Sequence, residues 1–191
     1  MTAAFRFDRE RHEYTLVETG QVVPHITELL KRSGWVDDEW YTEEGRRRGS
    51  AVHDMTAQWD TGAMTTPPKD HPYAPWLMAH IDAMQLLQPM FLAVEQPIVH
   101  PQYLYGGRPD RIARFRGVRC VIELKTGAKD KAHRVQTALQ AILDAVDSKL
   151  PPHATARWML YLQPTGRWKF EEHQDRRDFD EAYRIIREYV R

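Results

Sequence analysis

Residues 108–125 limit the fold more than any other stretch of the chain. Two short runs rich in apolar and β-branched side chains, 108–115 and 118–125, flank a two-residue break at Arg116-Gly117. That pattern predicts a β-hairpin. Arg-Gly is a weaker turn signal than Asn-Gly, so a slip of one residue stays open. In the simple register Phe115 faces Val118, and counting back sets Asp110 opposite Glu123. Opposed residues hold their Cβ atoms roughly 5 Å apart. Glu123 and Lys125 are two apart on one strand, so both share the face of Asp110. Two opposed carboxylates repel. A bound cation would remove the conflict, and hard oxygen ligands suit Mg²⁺ or Mn²⁺. For the triplet alone, an exposed hairpin with a cross-strand ion pair is the competing reading.

The remaining periodicities predict strands at 5–8, 13–17 and 22–23, then helices at 25–32 and 37–59, the second with Trp40, Val52, Met55 and Trp59 on its buried stripe. Gly45 and Gly49 weaken that helix by about 1 kcal/mol each against alanine. Residues 61–75 read as a loop, and a helix runs from 73 to about 92. Strands follow at 91–99 and 103–105. After the hairpin come a helix at 131–150, carrying Val135, Leu139, Ile142, Leu143 and Val146, strands at 154–163 and 168–172, and a closing helix at 176–190. This order predicts an α+β sandwich, a central mixed sheet flanked by helices.

Together the segments GGRPD (106–110), VIELKTG (121–127) and VQTALQ (135–140) resemble the PD-(D/E)XK nuclease superfamily. The resemblance is closest to its RecB-like branch, which includes phage exonucleases and the CRISPR-associated Cas4 nucleases. It covers roughly residues 5–150. The sequence VVPHITELL (22–30) is similar to the segment that enters the first helix in that branch. Gly49-Ser-Ala-Val-His53 matches the branch's Gly-x-x-x-His, Glu95 matches a glutamate on the strand before the Asp motif, and Gln136 matches a helix glutamine. Gln140 stands where the branch usually has a tyrosine, a departure from the pattern.

The resemblance and the chemistry together imply a restriction-endonuclease-like core with His53, Asp110 and Glu123 as metal ligands, joined by the backbone carbonyl of Leu124. Glu95 would hold a second ion or orient the attacking water. Lys125 would position that water or neutralise charge in the transition state. Gln136 would hydrogen-bond the lysine, a water or a phosphate, and Thr126 would contact phosphate. The implied activity is a metal-dependent deoxyribonuclease using one or two Mg²⁺ or Mn²⁺ ions. An exonuclease serving recombination, repair or phage DNA processing is the first choice. A structure-specific endonuclease and a non-catalytic nucleic-acid-binding module are the alternatives. A recombinase, helicase or annealing protein is the expected kind of protein partner, and bacterial or phage-infected cytoplasm the expected location.

Composition narrows the field. A length of 191 residues suits one domain. No apolar run approaches the roughly 20 residues a membrane span needs, and Met1-Thr-Ala-Ala-Phe-Arg lacks the apolar segment of a signal peptide. The lone Cys120 excludes an intrachain disulfide and a four-cysteine iron–sulfur cluster. No phosphate-loop motif is present, so no nucleotide cofactor is expected. With 27 basic and 27 acidic residues the chain is neutral, which places any nucleic-acid contact in local basic clusters. Candidates are Arg46, Arg47 and Arg48, then Lys129, Lys131, His133 and Arg134, with Arg108 and Gln140 nearer the motif. Trp35 and Tyr41 are the candidates for stacking on unpaired bases.

Overall fold

The computed structural model describes residues 4–37 and 42–190. A five-stranded mixed sheet lies at the centre, in the order β10-β9-β8-β7-β4. Its strands are β4 (Met90–Val94), β7 (Arg111–Phe115), β8 (Val118–Lys125), β9 (Ala156–Leu162) and β10 (Trp168–Glu172). Only β8 and β9 pair in parallel, and the crossover between them carries α4 (Ala132–Ser148). Helices α1 (Ile26–Arg32), α4 and α5 (Arg177–Tyr189) share one apolar cluster with Ile112 and Val121. Helices α2 (Glu43–Asp60) and α3 (Ala74–Leu87) share another with Ala113, Cys120, Ile122 and Leu124. The sheet is therefore covered on both faces, which is the expected α+β sandwich.

Strand alternation on β8 decides what each face receives. Cys120, Ile122 and Leu124 enter the α2–α3 cluster, whereas Val121 enters the α4 cluster. Glu123 and Lys125 follow the parity of Val121 and reach the α4 side. The hairpin keeps the expected register, from Phe115 opposite Val118 to Arg111 opposite Ile122. Arg116 and Gly117 both have positive φ, 49° and 84°, the pattern of the twist-matched two-residue turn. A slip of one residue would exchange the two buried faces of β8, so packing fixes what the turn specifies weakly.

Several boundaries differ from expectation. The second helix starts at Glu43 rather than residue 37, because the Thr42 side chain caps it by accepting the Gly45 N–H at 3.0 Å. Trp40 and Tyr41 lie outside the described residues. Helix α3 stops at Leu87 rather than 92, with Gln88 in the left-handed region and Pro89 next. The expected long strand at 91–99 breaks at Glu95, whose φ is 50°. Residues 103–105 form no strand. Instead β6 (Gly106–Gly107) pairs with β5 (Ile98–Val99), and β7 begins at Arg111 rather than 108.

A separate three-stranded sheet, β1 (Phe5–Asp8), β2 (Glu13–Leu16) and β3 (Val22–Val23), packs Tyr14, Leu16 and Val23 onto Val99. Here the paired glycines matter. A Cβ on Gly106 would lie 2.6 Å from the Tyr14 ring, and one on Gly107 would lie 2.6 Å from both Ile26 and Leu143. No helix among the described residues is long and apolar enough to cross a membrane.

Candidate metal centre and active site

Five elements deliver polar side chains to one cavity of about 490 Å³. Helix α2 brings His53, the end of β4 brings Glu95, and the residue before β7 is Asp110. The end of β8 brings Glu123 and Lys125, and α4 brings Gln136 and Gln140. His53 Nδ1 lies 3.0 Å from Asp110 Oδ1 and 3.4 Å from Glu95 Oε1. One donor atom from each of the three falls within 4.8 Å of the others, close enough for a single cation.

Glu123 lines the same cavity but stands outside that tight cluster. Its Oε1 accepts from Lys125 Nζ at 2.8 Å and from Gln136 Nε2, while its Oε2 accepts from Gln140 Nε2 at 2.6 Å. These three donors turn the carboxylate towards α4. Asp110 is held separately, with its Oδ2 accepting the Leu124 backbone N–H at 2.6 Å. The Leu124 side chain is fully buried, so only its backbone faces this chemistry.

Two carboxylate oxygens and one imidazole nitrogen form a donor set compatible with Mg²⁺ or Mn²⁺. The local potential agrees. Burial opposes charge on His53, but Asp110 and then Glu95 outweigh it and lift its pKa to about 10. A field that retains a proton so firmly also favours a divalent cation in its place.

The expected nucleic-acid contacts divide into three groups. Arg108 lines the cavity and donates from Nε to Glu95 Oε2 at 2.9 Å. Arg48 reaches Thr126 Oγ1 at 3.4 Å and covers the Trp76 ring, joining α2 to the end of β8. Arg46 is exposed beside them, and Arg47 is held by Glu44 and the Tyr73 hydroxyl.

The second basic cluster is scattered. Lys129 pairs with Glu171, Arg134 with Asp178, and Lys131 and Arg134 both lie over the Trp35 ring. Two cations thus sit over the Trp35 ring, and its indole N–H donates to Glu181 at 2.8 Å. His133 is buried, with its Nδ1 3.0 Å from the Tyr161 hydroxyl. Gln140 was expected at the nucleic-acid surface, yet it is 2% exposed and serves Glu123.

Sequence reasoning passed over Asp60, His80 and Arg111, whose side chains form a buried polar cluster directly behind the three donors. It also passed over Arg9, His12 and His25, which line the same cavity. The one available signal was an arginine in an apolar strand next to the motif aspartate.

No protein-family model matches the chain, and no curated protein matches it significantly. Among solved structures, it is similar to a "putative exonuclease" from Eubacterium rectale, with TM-score 0.48 and 12% identity over 83% of this chain and 68% of that one. It is similar also to LHK-Exo, solved in complex with dAMP, with TM-score 0.41 and 11% identity over 86% and 84% of the two chains. A third similar structure is SSO0001, with TM-score 0.35 and 17% identity over 85% and 81%. Similarity at this level does not bear on activity.

Proposed function

We propose that this chain is a Mg²⁺- or Mn²⁺-dependent nuclease that hydrolyses phosphodiester bonds in DNA and works from strand ends. The observation that carries the reading is the His53–Glu95–Asp110 cluster set beside Glu123 and Lys125 in one cavity. Asp110, His53 and Glu95 would hold the ion, with Glu123 and the Leu124 carbonyl as further oxygen donors. A bound divalent cation would neutralise phosphate charge and acidify a water molecule.

The chain's own residues would do the rest. Lys125, kept beside Glu123, would orient the attacking water and offset charge on the phosphorane-like transition state. Gln136 and Gln140 would fix the orientation of Glu123 by donating to its two carboxylate oxygens. Arg108, Arg46, Arg48 and Thr126 would contact phosphates, adding affinity without sequence preference.

A labelled linear DNA and a closed circle, each incubated with Mg²⁺, Mn²⁺ or EDTA, test the proposal. Metal-dependent loss of the linear substrate alone is the expected result. Cutting of the circle would indicate an endonuclease, and no metal-dependent cutting would leave a binding module. Lys125→Ala is expected to fold and bind DNA while losing cleavage; wild-type cutting by that variant would overturn the assignment.

A further inference from the structure

A buried Asp60–Arg111 ion pair and the buried His80 imidazole tie together the elements that supply the cation donors. The side chains of Arg111 and His80 are fully buried, and that of Asp60 is 2% exposed. Asp60 ends α2, seven residues after His53 on the same helix. Its carboxylate meets Arg111 Nε from the central sheet, and both its oxygens lie 2.9 Å from His80 Nε2 on α3. Arg111 then reaches forward. One guanidinium nitrogen donates to the backbone carbonyl of Asp110 at 2.6 Å and lies 3.7 Å from Glu95 Oε1. That same carbonyl accepts the Glu95 backbone N–H at 3.0 Å. Glu95 occupies the left-handed region, a conformation an ordinary side chain keeps only when its surroundings impose it.

Burying such charges is unfavourable unless they are well paired, and an apolar set of similar volume would stabilise as well or better. Fold stability alone therefore gives poor reason for this cluster. Its geometry gives a better one, because α2, β4 and the start of β7 are the three places that supply His53, Glu95 and Asp110. We propose that Asp60, Arg111 and His80 are positioning residues that set the spacing of the three cation donors, Arg111 acting on Glu95 and on the Asp110 peptide. The inference rests on the metal-site reading above.

The test is Mn²⁺ binding to the whole chain, followed by electron paramagnetic resonance below the melting temperature of every variant. In the double variant Asp60→Asn/Arg111→Met both charges leave together, so no buried ion is orphaned. Asp60→Asn alone is the second variant, with its shape and acceptor oxygen kept. Ile185→Val, in the opposite helical layer, is a control for mild destabilisation.

Loss of an outer partner typically weakens metal binding about 10- to 100-fold. The expected result is a weakening of that size in both Asp60 variants, with wild-type affinity in the control. Wild-type affinity in either folded Asp60 variant, or an equal loss in the control, would overturn the positioning role alone. Absence of Mn²⁺ binding by the wild-type chain would overturn the metal site itself and this role with it.

Discussion

Gly106→Ala should destabilise the fold through a single contact. The added Cβ would meet Tyr14 Cγ, Cδ1 and Cδ2 at 2.6, 2.7 and 2.8 Å, against 3.4–4 Å for an ordinary contact. The ring would have to retreat by about 0.8 Å, the shortfall from 3.4 to 2.6 Å. It has little room to do so, being fully buried with the Phe7 ring centroid 4.7 Å away. The atoms struck belong to the rigid ring rather than to a flexible chain end. The cost should therefore fall at the upper end of overpacking, about 2–3 kcal/mol. For a chain of this length that corresponds to a fall in Tm of about 4–12 °C.

Urea denaturation followed by tryptophan fluorescence measures the cost. Repeating the substitution in a Tyr14→Ala background isolates its origin, since without the ring the added methyl should be neutral or stabilise by about 0.4–1 kcal/mol. A cost below about 0.5 kcal/mol in the wild-type background, or the same cost in both backgrounds, would refute the reasoning.

His133 gives a pH prediction. Burial pushes its pKa down to about 4, so the folded state resists a proton that the unfolded chain accepts near 6.5. Stability is then fully present above 6.5 and declines as pH falls, by about 3 kcal/mol at pH 4; denaturation midpoints for wild type and His133→Asn at pH 7 and pH 4.5 should converge in acid. Cys120 is fully buried and its thiol is pushed up to about 12, so a thiol-reactive dye should label it only after unfolding, and rapid labelling of the native protein would contradict its placement. Gln140→Leu removes one donor from Glu123 and also a buried carbonyl oxygen that has no partner among the described residues. Its melting temperature should stay close to wild type while cleavage falls about tenfold or more, and unchanged cleavage would deny Gln140 a part in holding the acid.

Local pattern foretold those features that depend on local pattern. The hairpin register, the apolar stripe of α4 and the burial of Cys120 all follow from alternation or helical spacing, because each segment has one dominant face. Boundaries at 87, 95 and 106 did not. They depend on left-handed residues and on close approach by Tyr14, Ile26 and Leu143, which lie far away in sequence. The convergence of Asp110, Glu123 and Lys125 on one candidate cavity was legible, because one hairpin carries all three. The sequence could not show that Glu123 turns towards α4 while His53 and Glu95 close on Asp110, since side-chain partners across 42 residues leave no spacing to read. Arg111 was hidden for the opposite reason. A strand arginine ordinarily points to water, and only the tertiary fold supplies Asp60 to keep it inside.

The cavity joins partners of very different chain separation. Glu123 meets its glutamine donors 13 and 17 residues downstream within a single crossover, whereas His53 meets Glu95 across 42. By loop-closure entropy the longer span costs only about 1 kcal/mol more. Its effect lies in sequence of assembly, because local pairs can form before distant strands have found their order. The acid and its amide clamp can thus be in place while the histidine side is still unmade. Recovery of function during refolding would then trail behind spectroscopic signs of secondary structure.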